Sequence, residues 1–336
     1  MIGKLRTLLR RGPGRPRDAR DAGHATGCKR QSLSSTLDRV TLRPLSGLLA
    51  LVLLLPACGA PDRAAAPGTV PVVASTDVYG AVVQAVGGDR VSVTSLISDP
   101  AVDPHSYEAP PAAAAAVTRA RLVVVNGGGY DEFAERLTPG PDATVIDVVA
   151  LSGLVAPAGG DLNEHVWYSL PTMKKLAGQI AVDLGAADPA GAAQFTANAT
   201  AFEARVDGLI GRVDALKAAH AGARIAVTEP VPLYLTDAAG LVDATPPEFS
   251  EAVEEDADPP AAVVARTLEE FTADPVRALL VNAQTRTPVT DQVERAARAA
   301  GVPVVEVGET LPAGTTDYVE WISEQLEALS RALDRP

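Results

Sequence analysis

From Ala192 to Ala219 the chain has no proline and only two glycines, Gly208 and Gly211. Apolar residues recur through it at helical spacing: Phe195, Ala199, Phe202, Val206, Leu209, Val213 and Leu216. The pattern predicts one amphipathic helix of roughly 40 Å, at about 1.5 Å per residue. Such a helix can join two lobes as a stiff strut. A coiled-coil dimer is the rival reading, but the periodic stretch is short for one.

On either side of this stretch, short apolar runs alternate with helical segments. Before it, strands are expected at Val70 to Ala74, Val91 to Ile97, Leu122 to Val125 and Ala143 to Val148. After Gly222 the pattern restarts, with strands at Arg224 to Val227, Val276 to Val281 and Val302 to Val305, and a closing helix from Thr316 to Leu333. Runs without polar alternation fit parallel strands buried on both faces. Strand–helix alternation in each half predicts two α/β lobes with mainly parallel sheets.

The amino terminus reads differently. Arg39 and Arg43 precede the apolar run Leu45 to Leu55, which leads into Leu55-Pro56-Ala57-Cys58-Gly59. A basic region, a short apolar region and a small residue before the cut describe a secretory signal. A Cys directly after Leu-x-Ala resembles the lipobox of bacterial lipoproteins, with Cys58 the lipidated first residue of the mature chain. Cys28 lies in the leader, so the mature chain can form no internal disulfide. Residues 1–39 form an unusually long polar preamble and are read as a misassigned start, with synthesis beginning near Val40. Residues 58–69 are the lipidated Cys and a flexible tether. The expected division is then 1–57 signal peptide, 70–186 first lobe, 187–221 linking helix and 222–336 second lobe.

Charge separates the same parts. The net charge of −13 hides 11 Lys and Arg against 3 Asp and Glu in residues 1–57, leaving 18 against 39 for the rest. A body that acidic is a poor nucleic-acid binder. It can attract cations.

Two loops carry the chemistry. Asp103-Pro104-His105-Ser106-Tyr107-Glu108 follows an expected strand and precedes a helix opening at Pro110-Pro111. Loops at strand carboxyl ends are where α/β sheets bind ligands. Asn163-Glu164-His165-Val166-Trp167-Tyr168 precedes another helix. Imidazole is the commonest protein metal ligand, and carboxylates flank both. The third histidine beyond the leader, His220, ends a polar helix and reads as a solvated C-terminal cation. Glu229, just past the Arg224 to Val227 strand, is a third ligand candidate, from the other half. The Gly127-Gly128-Gly129 turn has neither GxGxxG nor a Lys-Ser/Thr pair, so it is not a phosphate loop. The acidic run Glu251, Glu254, Glu255, Asp256 and Asp258 reads as a solvated helix end.

Together these pieces resemble the zinc/manganese-binding solute-binding lipoproteins of bacterial ABC importers. The matching stretches are VVASTDVYGAVVQAVGGDRV, DPHSYE, LVVVNGGGYDEF, EHVWY, RIAVTEPVPLYL and LLVNAQTRTPVTDQV with PVVEV, spanning nearly all of residues 70–334. The resemblance implies two α/β lobes joined by one rigid helix, with a metal in the cleft between them. It places ligands on His105, His165 and Glu229. The family's fourth ligand is often a carboxylate after the late strand; Asn282, Gln284 and Thr285 fill that region here, and Gln284 could supply an amide oxygen. The implied protein is a monomeric, non-enzymatic binder, anchored by its lipid outside the cytoplasmic membrane. It delivers its ion to an ABC permease whose ATPase is a separate chain.

The donor chemistry agrees. Two imidazoles and a carboxylate suit a divalent transition metal better than Mg²⁺ or Ca²⁺. A four-coordinate shell with nitrogen favours Zn²⁺; further oxygen ligands favour Mn²⁺. The sequence leans to zinc. A metallohydrolase would share His₂Glu, but there is no HExxH and no GxSxG. A chelate- or siderophore-binding lipoprotein would want Arg, Trp or Tyr lining an open cleft. A surface adhesion lipoprotein would leave the histidines without a role.

Overall fold

The computed structural model describes residues 68–335, apart from 103, 105, 158, 159, 273 and 274. The signal segment, Cys58 and most of the tether lie outside the described residues, as does His105. Among the described residues no helix is long and apolar enough to cross a membrane.

The first half is β1 (Val70–Thr76), α1 (Asp77–Gly87), β2 (Val91–Ile97), α2 (Pro111–Arg119), β3 (Leu122–Val125), α3 (Glu132–Glu135), β4 (Thr144–Asp147), α4 (Val148–Ser152) and α5 (Leu170–Ala187). Then comes α6 (Ala192–His220). The second half is β5 (Arg224–Val227), α7 (Leu233–Ala238), β6 (Val242–Asp243), α8 (Pro247–Glu254), α9 (Ala261–Glu269), β7 (Leu279–Asn282), α10 (Pro288–Ala299), β8 (Val304–Val307) and α11 (Tyr318–Leu333). Two four-stranded sheets result, ordered β2-β1-β3-β4 and β6-β5-β7-β8. Every pair is parallel. The two-lobe α/β architecture read from the sequence is therefore observed.

Strand periodicity explains why both faces of each sheet must be covered. In the first sheet Val72, Ala74, Leu122 and Val124 enter a core shared with α6, while Val73, Val123 and Val125 enter a separate cluster with Val117 and Phe133. In the second, Ile225, Val227 and Leu280 join the α6 core, whereas Ala226, Leu279 and Val281 pack on Phe249, Val253 and Phe271. All seven α6 positions picked out by helical spacing are buried. The inner faces of both sheets thus meet one continuous core, with α6 as its spine. That construction resists large relative movement of the halves.

Polar ties reinforce it. Asp317 caps α11, accepting from the Val319 and Glu320 amides at 2.8 and 3.0 Å. Its carboxylate also takes both guanidinium arms of Arg205 on α6, at 2.8 and 2.9 Å. Tyr168 donates to the Gly308 carbonyl at 2.9 Å and Tyr318 to that of Trp167 at 2.7 Å, so each half reaches into the other. His220 ends α6, as expected, and its Nε2 lies 3.2 Å from Asp334, because α11 returns alongside the end of α6.

Asp77, the first residue of α1, accepts the Leu311 amide at 3.1 Å across the same boundary. Burial pushes its carboxyl up to about 6 from 3.8, against the pull of the Leu311 and Val78 amides. The folded chain therefore holds a proton there more tightly than the unfolded chain. Stability falls as pH rises from about 4 to about 6, by at most about 3 kcal/mol. Asp77→Asn keeps the acceptor and removes the charge. It is expected to gain about 1 to 3 kcal/mol at pH 7 in urea unfolding, with the gain vanishing near pH 4. An equal gain at both pH values would show that the charge is not the cause.

Candidate metal centre

The carboxyl ends of the strands converge on a small set of buried polar groups. Glu229 stands two residues past β5 and is 2 % exposed. Glu309 stands two residues past β8 and is fully buried. Between them, Asn282 ends β7, and its amide nitrogen donates to Glu229 Oε2 at 2.5 Å and Glu309 Oε1 at 2.7 Å. One amide thus holds two carboxylates together. Thr285 donates to the other Glu229 oxygen. On the far side, the negative Glu309 carboxylate adds to burial in holding the Tyr130 phenol well above its ordinary range.

His165 comes from the loop before α5 and is fully buried. Its Nδ1 lies 2.8 Å from Asn163 Oδ1, which also accepts the His165 amide at 3.0 Å. The Asn163 nitrogen donates to the Pro230 carbonyl at 2.9 Å, next to Glu229 in sequence. These bonds fix the Asn163 amide, so Nδ1 carries the proton and Nε2 presents its lone pair. Trp167 and Tyr130 meet the ring edge-on, with centroids 5.1 and 6.0 Å away. Nε2 points at Glu254, 3.2 Å from its Oε1.

The glycine turn after β3 positions this loop. Gly127, at φ +77°, passes so close to the Asp147 carboxylate that a Cβ would stand 2.3 Å from it. Asp131 is fully buried and accepts the Asn126 and Gly127 amides at 2.6 and 2.9 Å. Those amides are the ones a phosphate would need, which agrees with reading the turn as structural. The Asn126 side chain then donates to the Glu164 carbonyl at 3.0 Å. Burial, with the nearby Asp131 charge, pushes the Glu164 carboxyl up to about 7.

Of the residues singled out in the sequence, His165 and Glu229 lie in this region from opposite halves. Gln284 is there too, but its amide oxygen accepts the Glu309 amide at 2.6 Å. Its nitrogen donates to the Val102 carbonyl at 3.1 Å and to Thr310 at 3.0 Å. Among the described residues no three His, Cys, Asp or Glu side chains already form a metal shell. Glu229 and Glu309 close on Asn282 instead, and His165 on Glu254.

Sequence reasoning missed Glu309 and Glu254. The expected strand at Val302 to Val305 lies two residues later, at Val304–Val307, so Glu309 is the carboxylate at its end. Glu254 was grouped with the solvated acidic run. It ends α8, and its side chain is only 17 % exposed.

The sequence matches the family described as zinc-uptake complex component A, periplasmic (ZnuA), over residues 72–332. The chain belongs to this family. It is also similar to the manganese-binding lipoprotein MntA of Halalkalibacterium halodurans, 30% identical over 161 residues. That match covers 46% of this chain and 53% of the relative, so it spans about half of MntA's length. In fold, it is similar to the periplasmic zinc-binding protein TroA of Treponema pallidum, with a TM-score of 0.67 at 19% identity, covering 80% of this chain and 100% of TroA. FpvC of Pseudomonas aeruginosa, solved with Mn²⁺, gives 0.64 at 24% identity, covering 79% of this chain and 98% of FpvC. These structural likenesses establish the architecture of this ZnuA-family chain.

Proposed function

We propose that this ZnuA-family chain is the extracytoplasmic binding component of an ABC importer, capturing one divalent transition metal ion as cargo. The observation carrying the reading is a fully buried imidazole with its Nδ1 proton fixed, in a region where two buried carboxylates are held together. Buried charges of one sign are costly unless a cation or donors compensate. His105 and His165 supply nitrogen, and Glu229 supplies oxygen from the second half. Glu309 is a better fourth ligand than Gln284, whose oxygen is engaged with the backbone. That exchange makes the shell richer in carboxylate and narrows the lean toward zinc, since carboxylates suit Mn²⁺. The names of the relatives point both ways, MntA to manganese and TroA to zinc.

Lipid on Cys58 tethers the protein to the outer face of the cytoplasmic membrane, and the loaded form delivers its ion to the permease and its ATPase. Chelate binding and adhesion have no comparable support in the buried residues. The test is metal content and competition titration with Zn²⁺ and Mn²⁺ on the soluble chain beginning after Cys58. One tightly bound ion per chain is expected. A folded, metal-free preparation that takes up no stoichiometric ion ends the reading.

A further inference from the structure

We propose that the open edge of β8 is a docking site for an extended, acidic peptide segment of another protein. The site lies at the amino end of β8, opposite the end that leads to Glu309, and does not depend on a bound metal.

Three observations carry it. The first is the free edge. β8 is the last strand of its sheet, β6-β5-β7-β8. The Leu279 amide donates to the Pro303 carbonyl at 2.9 Å, and the Ala283 amide to that of Val307 at 3.0 Å. Successive residues of a strand turn their backbone groups to opposite sides, so Val304 and Glu306 aim N–H and C=O away from β7. Among the described residues nothing bonds to those groups. An unpaired edge is a template for another strand.

The second is room. Residues Val302, Pro303, Val304 and Val305 line a cavity of about 480 Å³, together with Arg298 at the end of α10 and Arg331 and Arg335 at the end of α11. The two helices lie on opposite faces of the sheet. Val305 packs with Ile322 and Leu329 of α11, whereas Val302 packs with Val293 and Ala297 of α10. The cavity is therefore where a further strand would lie, between the two helix layers.

The third is charge. The body beyond residue 57 holds 18 Lys and Arg against 39 Asp and Glu. Yet three arginines line this cavity and no carboxylate does. Glu306, the acid on the strand itself, is outside it and pairs with Arg286 at 2.9 Å. Arg298 and Arg331 bond to Glu294 and Glu327 one turn earlier on their own helices, but both arginine side chains are more than half exposed. Such surface pairs contribute little and give way easily. Arg298 and Arg331 also suit the carboxyl ends of their helices. That role leaves Arg335 unexplained, since it lies beyond α11. Arg277 donates to the Leu333 carbonyl at 2.9 Å and to that of Arg335, which pins this last stretch against the sheet. Among the described residues the Arg335 guanidinium has no partner. An added strand sends successive side chains to opposite faces. Adjacent acids on it would meet Arg298 on the α10 side and Arg331 and Arg335 on the α11 side. The guanidinium fork suits carboxylates, so an acidic segment is selected over a neutral or basic one.

The experiment titrates the mature chain into a fluorescein-labelled peptide, VEEVEE, and follows anisotropy. One saturable site is expected, with the glutamine counterpart VQQVQQ about 10-fold weaker or worse. Arg331→Ala with Arg335→Ala should weaken VEEVEE by about 10-fold. Val304→Pro removes only an outward N–H, which an edge strand tolerates, and should also weaken it by about 10-fold. Circular dichroism checks that each variant is folded. Independently of the variants, amide exchange at Val304 and Glu306 of the wild type should slow when the peptide binds. No binding up to about 1 mM peptide overturns the proposal, the arginines then being charges that guard an open edge. Binding that needs the arginines but leaves the Val304 and Glu306 amides exchanging as before overturns strand addition. Arginine-dependent binding to phosphatidylglycerol vesicles without peptide binding makes the patch a membrane contact and overturns it as well.

Discussion

Replacing His105 and His165 together by alanine is expected to weaken Zn²⁺ and Mn²⁺ binding by about 1,000-fold or more. Changes to groups that merely orient a ligand already cost about 10- to 100-fold in metal affinity, and both histidines are proposed here as ligands themselves. The carboxylates left behind cannot make up the loss, because Glu229 and Glu309 are held on Asn282 and must leave it to reach an ion. His220→Ala is the matched control: it removes an imidazole that pairs with Asp334 at the end of α6 and should leave affinity unchanged. The His165 ring is fully buried, so the double variant should also melt lower in chelator; far-ultraviolet dichroism separates misfolding from ligand loss. A folded double variant that still binds one ion tightly would place the metal elsewhere.

The fold was legible because its strands are buried on both faces. Val70 to Ala74 and Leu122 to Val125 read as continuous apolar runs, and the structure places alternate residues in different cores. The spine helix was legible for the opposite reason: only one of its faces is buried, so the periodicity shows. The two-residue strand β6 is too short to carry a pattern. Helix α8 was legible only as the helix end that its acidic run marks; Phe249 and Val253, by their spacing, were the signal for its buried face. Of the proposed site, half could be read from the sequence. His165 and Glu229 follow from residue type and position after or before an element. Glu309 needed the end of β8 to within two residues, a precision that apolar patterning rarely gives. Glu254 needed tertiary structure, since nothing local distinguishes it from Glu251 or Glu255. Asn282 was seen only as a poor substitute for a carboxylate. Its role depends on two partners far from it in sequence, Glu229 and Glu309, which no local pattern joins.

That role gives the other large effect. Asn282→Leu is expected to destabilise the metal-free protein by about 3 to 5 kcal/mol at pH 7, as when one partner of a buried ionic group is deleted. Leucine matches the shape of asparagine but supplies no N–H. Each Nδ2 proton now serves one carboxylate, and its loss leaves Glu229 and Glu309 facing each other in a site almost closed to water. Thr285 and the surroundings of Tyr130 still donate or lie close, so the cost stays within that range rather than unfolding the chain outright. A shift of about 2 to 4 °C per kcal/mol for a chain of this size converts to a melting point lower by about 10 °C. The opposite behaviour is expected with saturating Mn²⁺ or Zn²⁺. A bound ion replaces both lost donors at once, so the gap between variant and wild type should shrink by more than half. Binding must also release fewer bonds in the variant, because the carboxylates no longer have to leave an amide. Equal melting points without metal would mean that the two carboxylates do not need Asn282. A gap that metal leaves unchanged would mean that they are not where the ion binds.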